Sequence, residues 1–279
     1  MTEDAFLSGL FERFPPVTGE VPVPPGDDCA AIDVGHGRWL LLAVDQLIGD
    51  RHFVASGPGA ALPEEAGAKL LARNLSDIAA MGGKPSFCLI AGAFGPACSA
   101  DWVERFHQGI LDLAARYGVT VIGGDLAATP NDTVASLTIV GEVPAGQAVC
   151  RHGAAAGDDL WCTGVYGQSL STGHHLNFTP RCAEGLWLRE HAFARAMIDV
   201  SDGVLLDLNR LCRASGVGVD ISTADIPRRT TETSMAEALG DGEDYELLVA
   251  VSAANRTALR EAWPFATRLT RIGSFAGDT

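Results

Sequence analysis

Five separate segments set a carboxylate beside glycine or at the end of an apolar run: GDD at 26–28, AVD at 43–45, NLSD at 74–77, GGD at 123–125 and DVSDG at 199–203. Taken singly, an Asp in such a place caps a helix or closes a turn. As a set they suggest more. Strand ends of an α/β domain collect on one edge, where ligands bind. Carboxylates gathered there repel one another unless divalent cations sit between them. All-oxygen ligands, with no His–Cys cluster among them, favour Mg2+ over zinc. Mg2+ in turn prefers a few carboxylates together with substrate phosphates.

Asp77 is the most informative of these acids. Leu70, Asn74, Asp77 and Met81 share one stripe of a helix, and Leu71, Leu75 and Ile78 widen it into an apolar face. A carboxylate bordering packed side chains is costly unless something pairs with it. A metal ion would do so, with Asn74 as polar support.

The elements that must position these acids can be read from periodicity. A first helix over about 3–13 stops at Pro15-Pro16, and VPVPPGDD leads into two strands, CAAIDV and RWLLLAVD. A helix covers about 62–81, followed by a strand in SFCLIAGAF. The next helix, over 99–117, sets Val103, Phe106, Ile110, Leu113, Ala114 and Tyr117 on one face, and VTVIGGD and VASLTIVGEV follow as strands. The small, turn-forming stretch PAGQAVCRHGAAAGD at 144–158 divides the chain into an N-terminal metal- and ATP-binding domain, 1–147, and a C-terminal domain, 148–279. Beyond it come a strand in DLWCTG, a helix near 181–195, the segment MIDVSDG and a helix with Val204, Leu205, Leu208, Leu211 and Cys212 on one face. Strand and helix then alternate through VGVDIS, EDYELLVAV, ANRTALREAW and ATRLTRIGSF. The fold class is α/β (α+β) in two halves.

Composition narrows the function. The 279 residues are 47% hydrophobic and 20% charged, enough for a substantial core. With 20 Lys+Arg against 35 Asp+Glu the net charge is −15, which argues against nucleic acid as a partner. An acidic protein can still bind nucleotide phosphates through a metal bridge. Neither GxxxxGK[ST] nor GxGxxG is present. No apolar run reaches the ~18 residues of a membrane span, and the acidic MTEDAFLSGLFERF is unlike a signal peptide. The seven cysteines form no CxxC pair and suit a reduced, cytoplasmic protein, with a zinc site the second reading.

PPGDDCAAI, AVDQLIGDRHF, AKLLARNLSDIAAMGGKP, VIGGD, CRHGAAAGD, AMIDVSDGVLLDL and GDGEDYELL follow one another in an order that resembles the thiamine-monophosphate kinase family. That family belongs to the superfamily typified by aminoimidazole ribonucleotide synthetase, and the resemblance spans about residues 5–275. It implies an N-terminal mixed sheet that pairs with a second subunit's in a homodimer, and a C-terminal α/β domain. It also implies ATP-dependent phosphorylation of thiamine monophosphate, with several Mg2+ ions and ATP as co-substrate. By the same resemblance Asp28, Asp45, Asp77, Asp125, Asp199 and Asp202 match metal positions, and Asp77, Asp125 and Asp202 are central to catalysis. Gly124, Asp125, Arg151 and Ser201 match nucleotide positions, and His52 and Glu243 substrate positions. As residues alone, His52 also suits strand-end packing, Arg151 a surface ion pair and Tyr245 the core.

The acceptor end departs from the family pattern. Gln46 stands where Thr is usual, Asp241 replaces a glycine of GGEDYEL, the 165–195 connection is short, and the chain stops at Thr279 without an aromatic C-terminal segment. Three readings follow: a thiamine-monophosphate kinase, a kinase or ATP-dependent synthetase of the same superfamily acting on another small phosphate, or a non-catalytic nucleotide-binding paralogue. Six retained acids argue against the third.

Overall fold

The computed structural model describes residues 3–11, 13–14 and 17–277. Helix α1 (Glu3–Phe11) ends earlier than the periodicity suggests, and Pro15-Pro16 lie outside the described residues. The first sheet is built from β1 (Ala30–Asp33), β2 (Arg38–Ile48), β3 (Lys84–Phe94), β4 (Thr120–Ala128) and β5 (Val134–Pro144), in the order β1-β2-β5-β3-β4. Only the β3–β4 pair is parallel.

Helices α2 (Pro63–Ala80) and α3 (Ala100–Tyr117) belong to this half. Pro63 opens α2, and Glu64 and Glu65 in its first turn offset the helix dipole. The Glu65 carboxylate also accepts the Leu62 N–H at 2.9 Å. Leu70, Leu71, Leu75 and Ile78 are buried in one core with Leu41, Leu137 and Ile139 of the sheet. Both helices need glycine where they cross: a Cβ at Gly67 would overlap the Phe106 carbonyl, and one at Gly109 the Glu64 carbonyl.

The second sheet has the order β7-β9-β6-β10-β8 and is antiparallel throughout. Its strands are β6 (Asp159–Thr163), β7 (Ala194–Asp199), β8 (Gly218–Ile221), β9 (Leu247–Val251) and β10 (Leu269–Ala276). Strands β6 and β9 are buried at every residue, and their alternate residues feed two cores. Leu160, Cys162, Leu248 and Ala250 pack with α6 (Val204–Ser215) and α7 (Met235–Gly240). Trp161, Leu247, Val249 and Val251 pack with Leu188 of α5 (Cys182–Glu190) and Leu259 of α8 (Arg256–Ala262).

Helix α2 touches β2 and β5 on one side and α5 and β7 on the other, so it joins the halves. The two sheets share no strand, and on that ground we propose the division into residues 1–147 and 148–279.

Several expectations shift. Helix α5 ends at Glu190 rather than near 195, because β7 begins at Ala194. EDYELLVAV becomes strand only from Leu247; Glu243 and Tyr245 take left-handed φ of 62° and 51°, which the ladder cannot accommodate. Helix α7 and the single turn α4 (His174–Asn177) have no counterpart in the sequence reading. The helices are too short or too polar to cross a membrane, among the described residues.

Candidate active site

Asp28 precedes β1, Asp77 lies in the last turn of α2, and Asp199 ends β7. One carboxylate oxygen from each lies within 4.8 Å of the others. The Asp28 side chain is fully buried; its Oδ1 accepts from Arg151 Nη2 at 2.7 Å, while its Oδ2 is buried without any hydrogen-bond partner. Ser76 Oγ, the neighbour of Asp77, donates to Asp199 Oδ2 at 2.5 Å. Burial first, and then the charges of Asp45, Asp199 and Asp28, hold the Asp77 carboxyl well above the usual carboxylate range. Burial and then Asp28 do the same to Asp199. Three acids forced together, one with a stranded oxygen, need a cation.

Asp45 sits within β2 rather than at its end, because the strand runs on to Ile48. It shares a cleft of about 590 Å3 with Asp28 and Asp77. Buried Asn74 fixes the strand there: its Oδ1 accepts the Asp45 N–H at 3.2 Å, and its Nδ2 donates to the Leu70 carbonyl at 2.8 Å. Arg73, one turn before Asp77, faces Asp45 at 3.5 Å and donates to the Gln46 carbonyl at 2.7 Å. Weighing α2 by its apolar stripe alone overlooks this arginine. Burial raises the Asp45 carboxyl despite Arg73, with Asp202 and Glu243 adding to the effect.

Arg151, Arg210 and Arg213 line the same cleft, and Leu7 and Phe11 of α1 border it. Three guanidinium groups beside a carboxylate cluster suit a ligand that is anionic and metal-bound. Arg210 pairs with Asp202 at 2.5 Å and with Asp207 at 2.6 Å. The Asp207 carboxylate also accepts the backbone N–H groups of Asp202 and Gly203, which shapes the DVSDG turn.

That turn is packed backbone to backbone on the GDGED loop. Glu243 N donates to the Ser201 carbonyl at 2.7 Å, and a side chain at Gly242 would meet the same oxygen. Lys69 of α2 is fully buried and joins the two substrate-position residues: Nζ donates to the His52 carbonyl at 2.5 Å and to Glu243 Oε2 at 2.6 Å. His52 Nδ1 accepts the Ile48 N–H at 2.9 Å, leaving Nε2 as the N–H. Burial, then Arg73, lowers the His52 pKa to about 4. Tyr245 is core, stacked on Phe178 at 4.0 Å.

Gly124 and Asp125 stand apart. Asp125 pairs with Ala91 across the parallel ladder, on edge strand β4, while Asp45 is level with Leu137 on β2. Strand β4 is three strand spacings of ~4.8 Å from β2, roughly 14 Å. Of the six acids expected at one strand edge, the structure brings Asp28, Asp77 and Asp199 together within one chain, sets Asp45 and Asp202 near them, and leaves Asp125 apart. Arg73, Lys69 and Arg210 are the site residues that sequence reasoning missed. A cation on an amphipathic helix usually lies on its solvated face; the spacings that could have signalled these are Asp207, i−3 from Arg210, and Asp77, i+4 from Arg73.

The donor set fits Mg2+: three carboxylates from separate segments, no nitrogen or sulfur among them, and one buried oxygen lacking a partner. Residues 26–143 match the family described as AIR synthase related protein, N-terminal domain. The chain is 34% identical to the thiamine-monophosphate kinase of Rhodopirellula baltica, covering 99% of this chain and 89% of that one. To the enzyme of the same name from Salmonella typhimurium it is 32% identical, covering 99% and 91%. The structure of AaThiL complexed with AMPPCP and TMP superposes with a TM-score of 0.80 at 27% identity, covering 99% of this chain and 91% of the other. With that identity over nearly its whole length, the chain belongs to the thiamine-monophosphate kinase family.

Proposed function

We propose that the chain transfers the γ-phosphoryl group of ATP to thiamine monophosphate, giving thiamine diphosphate and ADP. The observation that carries this reading is the Asp28–Asp77–Asp199 cluster with its stranded Oδ2, placed on an arginine-lined cleft in a chain of this family. AaThiL holds AMPPCP and TMP together.

Asp28, Asp77 and Asp199 would hold Mg2+, with Asp45 and Asp202 next to them. A divalent cation held there would supply the positive charge that offsets the phosphates' repulsion. The nucleophile is an oxygen of the substrate phosphate, already ionised at pH 7 because a phosphomonoester's second pKa is ~6. A bond from that oxygen to the γ-phosphorus forms while the bond from the γ-phosphorus to the β–γ bridging oxygen breaks, and ADP leaves. No general base is required. Arg151 and, on the DVSDG turn, Ser201 would hold nucleotide phosphate, while Glu243 and neutral His52, both fixed by Lys69, would hold the acceptor. Glu243 offers a carboxylate to the cationic thiazolium, and His52 an Nε2–H donor.

We also propose a homodimer through the open face of the first sheet. Val44, Phe87 and Leu89 are 64%, 45% and 43% exposed on strands β2 and β3, a large apolar surface for one chain to leave uncovered. Gly124 and Asp125 would contribute to a nucleotide and metal site only with a second copy over that face. All seven cysteines are free, which suits the reducing cytoplasm we propose for the protein. ADP release with Mg2+-ATP, measured over a panel of phosphomonoesters, tests the reading. Turnover should be fastest with thiamine monophosphate; silence on it with turnover on another phosphate would overturn the assignment.

A further inference from the structure

A second cluster lies beside the carboxylates, with different donors. Asp27 comes from the loop before β1, and Cys150 and His152 from the connection between β5 and β6. Ligand atoms of the three lie within 4.8 Å of one another. Read along the sequence, Cys150 and His152 have no partner motif, because their third member is more than a hundred residues away. The fold supplies it.

The geometry is that of a prepared site. The Asp27 carboxylate is held in place by backbone donors, accepting from Arg151 N at 3.0 and 3.2 Å and from Asp28 N at 3.0 Å. Such outer hydrogen bonds fix a ligand's orientation and sharpen metal affinity. Cys150 is buried, whereas His152 is exposed and neither ring nitrogen is hydrogen-bonded to another described residue. A cation therefore has an entry path on the His152 side and a thiol at its inner end. Three mixed ligands with one side open leave a fourth position for water, the pattern of a four-coordinate zinc site.

We propose that Asp27, Cys150 and His152 form a site for a thiophilic divalent cation of the zinc class, separate from the oxygen-only site at Asp28, Asp77 and Asp199. Binding exchanges the Cys150 S–H bond for an S–metal bond, displaces waters from the aqua ion and releases one proton to solvent; no electron moves. Donor chemistry sorts the two cations, since Mg2+ does not take thiolate and zinc takes sulfur and imidazole readily. The site ties the loop carrying Asp28 to the segment carrying Arg151, so loading it clamps the two ends of the ion pair at the edge of the cleft.

Cobalt is the probe, because a thiolate bound to Co2+ gives an intense near-ultraviolet charge-transfer band that oxygen ligands do not. The full chain is titrated with Co2+ in excess Mg2+. The expected result is a band that saturates at one Co2+ per chain and is displaced by Zn2+. Cys150→Ser should abolish it, exposed His152→Ala should weaken apparent affinity by about tenfold or more, and Asp77→Asn should leave it intact. No saturable band, a band that survives Cys150→Ser, unchanged affinity in His152→Ala, or loss of the band in Asp77→Asn would each overturn the proposal.

Discussion

Replacing Asp77 with Asn removes one ionisable carboxyl from a cluster of three, in which Arg151 pairs with Asp28 alone. Asp77 and Asp199 bind their protons more tightly folded than unfolded. The folded state therefore keeps protons that the unfolded state has already lost, and the metal-free chain loses stability as pH rises from the ordinary Asp range through the raised folded values. Thermal melts without metal should give a lower Tm at pH 8 than at pH 6, and Mg2+ should narrow the gap. Asp77→Asn should narrow it too, while turnover falls roughly a hundredfold, the ~2.7 kcal/mol that two factors of ten represent. A variant as pH-sensitive as the parent, with unchanged turnover, would remove Asp77 from the metal site. Asp241 poses a different question, because the sequence leaves open whether its charge faces the substrate. Its Oδ2 accepts the Gln168 N–H at 2.8 Å, so the carboxylate is engaged in bracing a loop. Asp241→Gly should accordingly shift the KM for thiamine monophosphate by less than about threefold, under ~0.7 kcal/mol, and lower Tm; a larger KM change in steady-state kinetics would place the charge on the substrate. The acids of the site were legible because each stands in a short motif with glycine or an apolar run. Lys69 and Arg73 were not, since their partners Glu243 and Asp45 come from other segments.

Elements position these residues through close backbone approach. Helix α2 carries Lys69, Arg73, Asn74, Ser76 and Asp77, and it is seated against α3 by Gly67 and Gly109 and against α5 by Gly185, whose added Cβ would overlap the Ala79 carbonyl. Gly109→Ala should push α2 and α3 apart, costing about 1–3 kcal/mol of stability and raising the Mg2+ concentration needed for half-maximal activity. Unchanged Tm and Mg2+ dependence would show that the crossing does not set the site. Most elements could be read from period, as in α3, whose buried Phe106, Ile110, Leu113 and Ala114 fall on the face its spacing marks. The gaps have local causes. Helix α7 is six residues long, too short for a periodic signal, and its capping box of Ser234 and Glu237 is the cue that was available. The displaced start of β9 comes from left-handed Glu243 and Tyr245, a backbone state that residue type does not announce.

At the scale of the whole molecule, two properties complete the account. The open face of the first sheet predicts association: sedimentation at micromolar concentration should give a dimer, and replacing Val44 and Leu89 with Asp should give a monomer. A monomeric parent would leave that apolar face without its proposed role. The net charge of −15 predicts that the chain cannot gather two phosphorylated ligands unaided. What the sequence could not supply is which acids meet within one chain, Asp28, Asp77 and Asp199 but not Asp125, because that depends on α2 bridging the two halves, a tertiary fact. The most direct test follows the γ-phosphoryl group itself. With labelled γ-phosphate on ATP, thiamine monophosphate and Mg2+, label should appear in thiamine diphosphate, and it should be lost on chelation and in Asp77→Asn. Label passing to thiamine diphosphate at the parent rate without divalent metal, or released only as inorganic phosphate, would contradict metal-bridged transfer at Asp28, Asp77 and Asp199.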